Sequence, residues 1–363
     1  MVFLILAFIA SLLMTLLIIR SARTHGRMSV DHDLEGVQKF HATAVPRVGG
    51  VGIFIALVAS AALALFLRPA EGRLLFLLIL SAIPAFACGL VEDLTKKVSA
   101  NRRLLFTAIS AGLGIWLLDA TVSKAAIPGV DWLLGFMPFA VIATVFAVTG
   151  VANAVNIIDG FNGLASMCVL IMLFAITYVA LQVGDVFIVT TSLVLIGGVL
   201  GFFIWNFPAG LIFLGDGGAY LLGFMVAELA VLLVHRNDGV SPMFAMLTCA
   251  YPIFETVFSI YRKKFLRGGS PGMPDGVHLH MLVYKRVMRW AVGSREAAAL
   301  TSRNSLTSPY LWLLCLFSVI PAVLWWNNTA ILASFLLLFI MSYLLLYWSI
   351  VRFKTPRWLV VRK

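Results

Sequence analysis

Long apolar runs alternate with short polar connections along almost the whole chain. The runs fall at 2–19, 48–67, 74–91, 104–120, 135–152, 162–181, 187–205, 211–234, 243–261, 310–326 and 329–350. Each is close to the roughly 20 residues that an α-helix needs to cross a bilayer. The pattern predicts an all-α polytopic integral membrane protein with about eleven transmembrane helices, forming one domain over residues 1–363. Pro84 and the Gly197, Gly198, Gly201 group lie inside runs. Membrane helices tolerate both, because neighbours re-satisfy freed backbone groups and approach closely at small residues.

Composition removes the alternatives. Of 363 residues, 61% are hydrophobic and 12% charged, against about 25% charged in an ordinary soluble domain. A soluble globule is excluded, and so is a disordered chain, which lacks apolar residues to bury. The four cysteines, Cys88, Cys168, Cys249 and Cys315, stand singly in apolar runs with no C-x-x-C pair, and read as small core residues.

The net charge of +11 would suggest a nucleic-acid partner in a soluble protein, but the positions of the bases give it another meaning. Residues 1–19 have no positive leading region and are followed by Arg20, Arg23 and Arg27. This marks a retained span with its N-terminus outside rather than a cleaved signal. Alternating the eleven spans then puts the C-terminus in the cytoplasm and makes 20–47, 92–103, 153–161, 206–216 and 262–309 cytoplasmic loops. Every Lys and Arg except Arg68, Arg73, Lys124 and Arg236 falls in those loops or the C-terminal tail, as the positive-inside rule requires. The expected surroundings are membrane lipids with anionic headgroups, and no nucleic acid.

The acids are more informative, since carboxylates are costly in hydrocarbon. Glu92, Asp93, Asp159, Asp216, Glu255 and Asp275 all fall at or just beyond cytoplasmic helix ends, so several are expected to converge on one face. Around them lie five polar segments. QKFHATAVPRVGG (38–50) gathers Lys39, His41 and Arg47 before two glycines, either an anion site or a basic loop at the headgroups. Glu92-Asp93 pairs two acids, one of which could accept a proton or bind a cation. NAVNIIDGFNGLA (153–165) spaces Asn153, Asn156, Asp159 and Asn162 by threes, which suits a polar ligand or phosphate, or else a turn with asparagine caps. Asp216 sits in a Gly-Asp-Gly-Gly turn within apolar sequence, either binding Mg²⁺ or capping a helix. Residues 252–286 carry Arg262, Lys263, Lys264 and Arg267 ahead of His278 and His280. Two histidines could ligate a transition metal, but the acids nearby suit Mg²⁺ and the cations suit a diphosphate.

These segments, in chain order, resemble the polyprenyl-phosphate N-acetylhexosamine-1-phosphate transferases. The likeness runs from about Asp31 to Arg286 through K-x-H…P-R-x-G-G, the paired acids, N-x-x-N-x-x-D-G-x-x-G-L, N-F-x-P-A…G-D-x-G, F-E-T and P-D-x-x-H-L-H. The resemblance implies that a phosphate of undecaprenyl phosphate attacks the β-phosphorus of a UDP-sugar and releases UMP, with Mg²⁺, or Mn²⁺ in its place, at the cytoplasmic face of a bacterial inner membrane. It makes Asp216 the metal ligand and gives Asp93, Glu92 and Asp159 catalytic roles. It places Lys39, Asn156, His278 and His280 against the diphosphate and uridine parts of the substrate, and the polar residues of the same segments, His41, Asn153, Asn162, Arg262 and Lys263, are expected to bind substrate beside them.

Three positions depart from the family pattern: Glu92 for Asp, Asn162 for Asp, and Met281 for a third histidine. They point toward O-antigen or envelope-polysaccharide initiators transferring an N-acetylhexosamine or 6-deoxy-N-acetylhexosamine phosphate. Phospho-MurNAc-pentapeptide transfer, a non-catalytic lipid-binding relative and a transporter are the alternatives. A transporter would place ionisable groups near the midplane, but only Glu228 is expected well inside a span, and it falls in the outer third. A homo-oligomer is compatible with the sequence, which does not fix its size.

Overall fold

The computed structural model describes residues 1–25, 45–266, 277–288 and 297–352, and helix is the only regular element that repeats along them. The helices are α1 (Val2–His25), α2 (Gly49–Leu67), α3 (Pro69–Thr95), α4 (Ala100–Leu118), α5 (Val130–Leu134), α6 (Met137–Ile158), α7 (Leu164–Val183) and α8 (Val186–Asn206). They continue with α9 (Gly215–Arg236), α10 (Pro242–Thr248), α11 (Ala250–Tyr261), α12 (Leu279–Leu282), α13 (Ala297–Leu324) and α14 (Thr329–Val351). Single π-helical turns follow α11 and α12, at Arg262–Leu266 and Val283–Met288.

Each of the eleven apolar runs coincides with a helix or a bent pair. Among the described residues nine helices are long and apolar enough to span a membrane, or ten when α10 and α11 are counted as one broken span, bent by 71°. The remaining run is α4. Asn101, Arg102 and Arg103 in its first turn make it less apolar, yet it packs between α3 and α6 like the spanning helices. The polar connection expected over 262–309 is shorter than that, because α13 already begins at Ala297.

Helix α9 is the axis of the bundle, packed against α2, α3, α4, α6, α7, α8 and α10. Its sequence begins GDGGA, and these small side chains let other backbones come close. A Cβ added at Gly50 would lie 2.3 Å from Gly218 Cα. Gly50→Ala must therefore push α2 off α9, an overpacking that costs about 1–3 kcal/mol or more. The expected result is a clearly lowered thermal midpoint in detergent, and an unchanged midpoint would refute the close packing.

The same end of α9 is tied to the start of α2 by backbone bonds from Gly49 N to Phe213 O (3.0 Å) and Gly50 N to Leu214 O (2.9 Å). Pro84 lies inside α3, which stays helical through it, and Ser110 of α4 accepts a bond from the next amide, Ala85 N, at 3.0 Å. This is how a proline is accommodated away from water. The helix ends that meet around α9's first turn define the site.

Candidate active site

The first amides of an α-helix have no intrahelical acceptor, and in α9 a carboxylate from another helix supplies one. Asp93, buried in the last turn of α3, accepts from Asp216 N at 2.8 Å through Oδ1 and from Gly217 N at 2.9 Å through Oδ2. The positive end of the helix dipole favours an acceptor at this place. The turn into α9 requires Gly215, whose φ is +78°. A Cβ there would also lie 2.6 Å from Asp93 Oδ2 and still closer to Arg47 O.

Held in this way, Asp216 gathers three partners from three other segments. Arg103, in the first turn of α4, donates from Nη1 to Oδ2. Asn156, near the end of α6, donates from Nδ2 to Oδ1 at 3.1 Å, and Arg47, ahead of α2, places Nη2 3.9 Å from Oδ1. The Arg103 guanidinium also stands 5.9 Å from the ring centroid of Tyr220, whose hydroxyl donates to Asn153 Oδ1 at 3.1 Å. Asn153 thus steadies Tyr220 one helical turn beyond Asp216. Asp159, just past the end of α6, is pushed up to about 7, first by burial and then by the charge of Asp216, with Arg47 opposing. The donor set around Asp216 is therefore oxygen-rich and rimmed by cations. Among the described residues no three His, Cys, Asp or Glu side chains close into a metal cage.

The remaining predicted residues are distributed unevenly. Glu92 turns back to accept from Val98 N at 2.6 Å and closes the α3–α4 turn. Asn162 is buried in a polar knot: its amide N–H donates to Asn304 Oδ1 at 2.8 Å and its Nδ2 to Ser305 Oγ at 3.1 Å, while Ser308 Oγ donates to its carbonyl at 2.6 Å. This anchors the start of α7 to α13. Arg262 is also buried and points inward, donating to Val277 O and Tyr347 Oη at 2.9 and 2.7 Å. Lys263 sits half-buried beside it. Lys39 and His41 lie outside the described residues.

His278 and His280 stack with their ring centroids 5.1 Å apart. Both converge on Glu255, with His278 Nδ1 at 3.0 Å and His280 Nδ1 at 4.0 Å from Oε1. A Cβ at Gly160 would lie 3.5 Å from His280 Nε2, so the pair stands directly behind the Asp159–Gly160 turn.

Two contributors have no assigned role in the sequence: Arg103 counts there only as a topological base and Glu255 only as a helix-end acid. Arg47, expected in an anion site or a basic loop, instead faces Asp216. Arg103 carries a faint signal in its place at a helix start ten residues after Asp93.

Comparison with known proteins bears on the same residues. The model of glycosyl transferase family 4 matches residues 75–234, which contain Asp93, Arg103, Asn156, Asp159 and Asp216. A probable undecaprenyl-phosphate N-acetylglucosaminyl 1-phosphate transferase of Bacillus subtilis is 32% identical over 286 residues, 77% of this chain and 77% of that protein. The chain belongs to glycosyl transferase family 4. As a member it is an enzyme of the transferase class and a multi-pass membrane protein. An undecaprenyl-phosphate α-N-acetylglucosaminyl 1-phosphate transferase of Thermotoga maritima is 31% identical over 70% of this chain and 72% of its own length. A phospho-N-acetylmuramoyl-pentapeptide-transferase of Streptococcus pneumoniae is 30% identical over 55% of this chain and 63% of its own length.

Proposed function

We propose that the protein transfers an N-acetylhexosamine 1-phosphate, GlcNAc 1-phosphate in the first instance, from a UDP-sugar to undecaprenyl phosphate and releases UMP. This would be the initiating step of an envelope polysaccharide such as O-antigen. The observation that carries the reading is Asp216, fixed at the head of the buried helix α9 by Asp93 and met there by Arg103, Arg47 and Asn156. An anion-rich reaction needs cations aimed at one point, and Arg103 and Arg47 supply them beside Asp216. Two longer matches, both to GlcNAc 1-phosphate transferases, favour that sugar over the MurNAc-pentapeptide. So does Met281, a buried apolar side chain where the family pattern has a third histidine. The basic loops favour the cytoplasmic side of a bacterial inner membrane.

The residues fit Mg²⁺. Asp216 offers carboxylate oxygens with Asp159 and Asn156 beside it, and a cation that keeps waters and takes phosphate oxygens needs only one or two protein carboxylates. The chemistry a bound Mg²⁺ would supply is neutralisation and alignment of the diphosphate oxygens.

In the reaction, an oxygen of the lipid phosphate bonds to the β-phosphorus as the bond from that phosphorus to the α-phosphate oxygen breaks, so UMP departs with the bridging oxygen. The lipid phosphate is largely dianionic near neutral pH, its second pKa being about 6, so little proton abstraction is required. Asp93, with both oxygens on backbone amides, acts as a positioning residue for Asp216. Arg103 and Arg47 move from Asp216 to the phosphate oxygens, where charge is spread in the transition state.

Membranes containing the protein are expected to release UMP from UDP-GlcNAc only when polyprenyl phosphate and Mg²⁺ are both present, with EDTA abolishing the signal. Release without the lipid, or full release in excess EDTA, would refute the assignment.

A further inference from the structure

Helix α14 lies beyond the residues matched by the family model and carries no charged side chain. Two of its tyrosines, one turn apart, nevertheless reach the polar groups behind the site. Tyr343 Oη donates to Glu255 Oε2 at 2.8 Å. The other oxygen of Glu255 accepts from Leu279 N at 2.9 Å and faces His278 Nδ1 at 3.0 Å. Tyr347 Oη accepts from Arg262 and donates to Val277 O at 3.3 Å, fixing the residue that leads into the histidine segment.

These groups are almost completely out of solvent, with Glu255 1%, Tyr343 0% and His280 0% exposed. A carboxylate so placed holds one position only if its oxygens are satisfied. The Tyr343 ring is itself held edge-on to Phe254 and Phe258, with centroids at 4.9 and 5.8 Å. The hydroxyl is therefore presented by a rigid surface. From Glu255 the chain of contacts runs through the stacked histidines to Phe161, whose ring meets His280 edge-on at 5.7 Å, and to Gly160. It ends beside Asp159, which feels the charge of Asp216.

We propose that Tyr343 is a positioning residue: through Glu255 and the His278–His280 pair it holds the Asp159–Gly160 turn in place beside Asp216, forming the edge of the site that receives the nucleotide sugar. The inference rests on the transferase reading for its kinetic consequence but not for its structural one. The histidines act here from behind the turn, which accounts for their burial.

The test compares wild type with Tyr343→Phe, Glu255→Gln and the double variant, with Leu345→Ala, exposed on the same helix, as control. Each is the full chain in nanodiscs. Tyr343→Phe keeps the ring packing and removes one bond to a charged acceptor, worth about a tenfold effect. The expected result is a KM for UDP-GlcNAc raised about tenfold, with the KM for polyprenyl phosphate within about twofold of wild type. The double variant should be no worse than Glu255→Gln alone, since the two side chains act as one unit. Amide hydrogen exchange should rise in 157–163 and 278–282 and stay unchanged in the control.

Equal changes in both KM values, or additive single effects, would overturn the proposal. Exchange unchanged in both segments would overturn it too, whatever the activity. A wild-type protein that releases no UMP sinks the transferase reading alone, and the exchange measurement then decides the brace.

Discussion

Asp216→Ala is expected to abolish UMP release, lowering the rate by at least about a thousandfold, equivalent to about 4 kcal/mol of transition-state stabilisation. The side chain is the meeting point of Arg103, Arg47 and Asn156, and its removal leaves the cations without the group that gathers them. On the proposed reading it also removes the carboxylate that would hold Mg²⁺, so raising the metal concentration should not restore turnover. The helix itself should survive, because Asp93 bonds to the backbone amides of 216 and 217 rather than to the Asp216 side chain. The measurement is UMP release by the purified variant, taken with its thermal midpoint. A correctly folded Asp216→Ala protein within tenfold of wild type would rule out the site.

The second large effect is expected at Asp93, where the argument is different. Asn in its place keeps the size of the side chain but turns one acceptor oxygen into an NH2 group, which must face either Asp216 N or Gly217 N. One amide at the head of α9 then loses its acceptor in a buried place, and leaving it unsatisfied costs about 1–3 kcal/mol. Residues that orient a metal ligand typically change metal affinity or activity by about 10–100-fold. Asp93→Asn is therefore expected to raise the Mg²⁺ concentration for half-maximal rate by that factor, with partial recovery of rate at high Mg²⁺. Loss of rate with an unchanged Mg²⁺ requirement would show that Asp93 acts on substrate directly and not through Asp216.

The two substitutions separate a group that gathers the cations from one that sets where it stands. Arg103 joins them physically, since it begins α4, which follows Asp93 after the short turn closed by Glu92 and Val98. A single turn of chain thus supplies both the carboxylate that positions Asp216 and the guanidinium that pairs with it.

Much of this was legible in the sequence because a membrane imposes simple rules. A run of apolar residues long enough to span must be helical, since backbone groups in hydrocarbon have to bond within their own segment, and all eleven runs proved helical. The helix-end acids could be recognised because a carboxylate is costly inside the bilayer, and Asp93, Asp159 and Asp216 do meet at one end of the bundle. The break between α10 and α11 was not legible, because both halves are apolar and Cys249 between them gives no turn signal.

The partners of the acids were equally hidden. Asn162 has the spacing of a ligand-binding residue, but Asn304, Ser305 and Ser308 bind it into the start of α7. Arg262 has the charge of a phosphate contact, but Tyr347 and Val277 hold it inward.

The sequence by itself determined that the apolar runs are helical and the end at which polar chemistry gathers, because spacing and solvation cost depend only on local composition. The tertiary structure alone decided which side chains complete the site. Arg103 on Asp216, Asp93 on the amides of α9 and Tyr343 on Glu255 each join residues far apart in the chain. Such pairs are set by how the helices pack around α9, which no local pattern encodes.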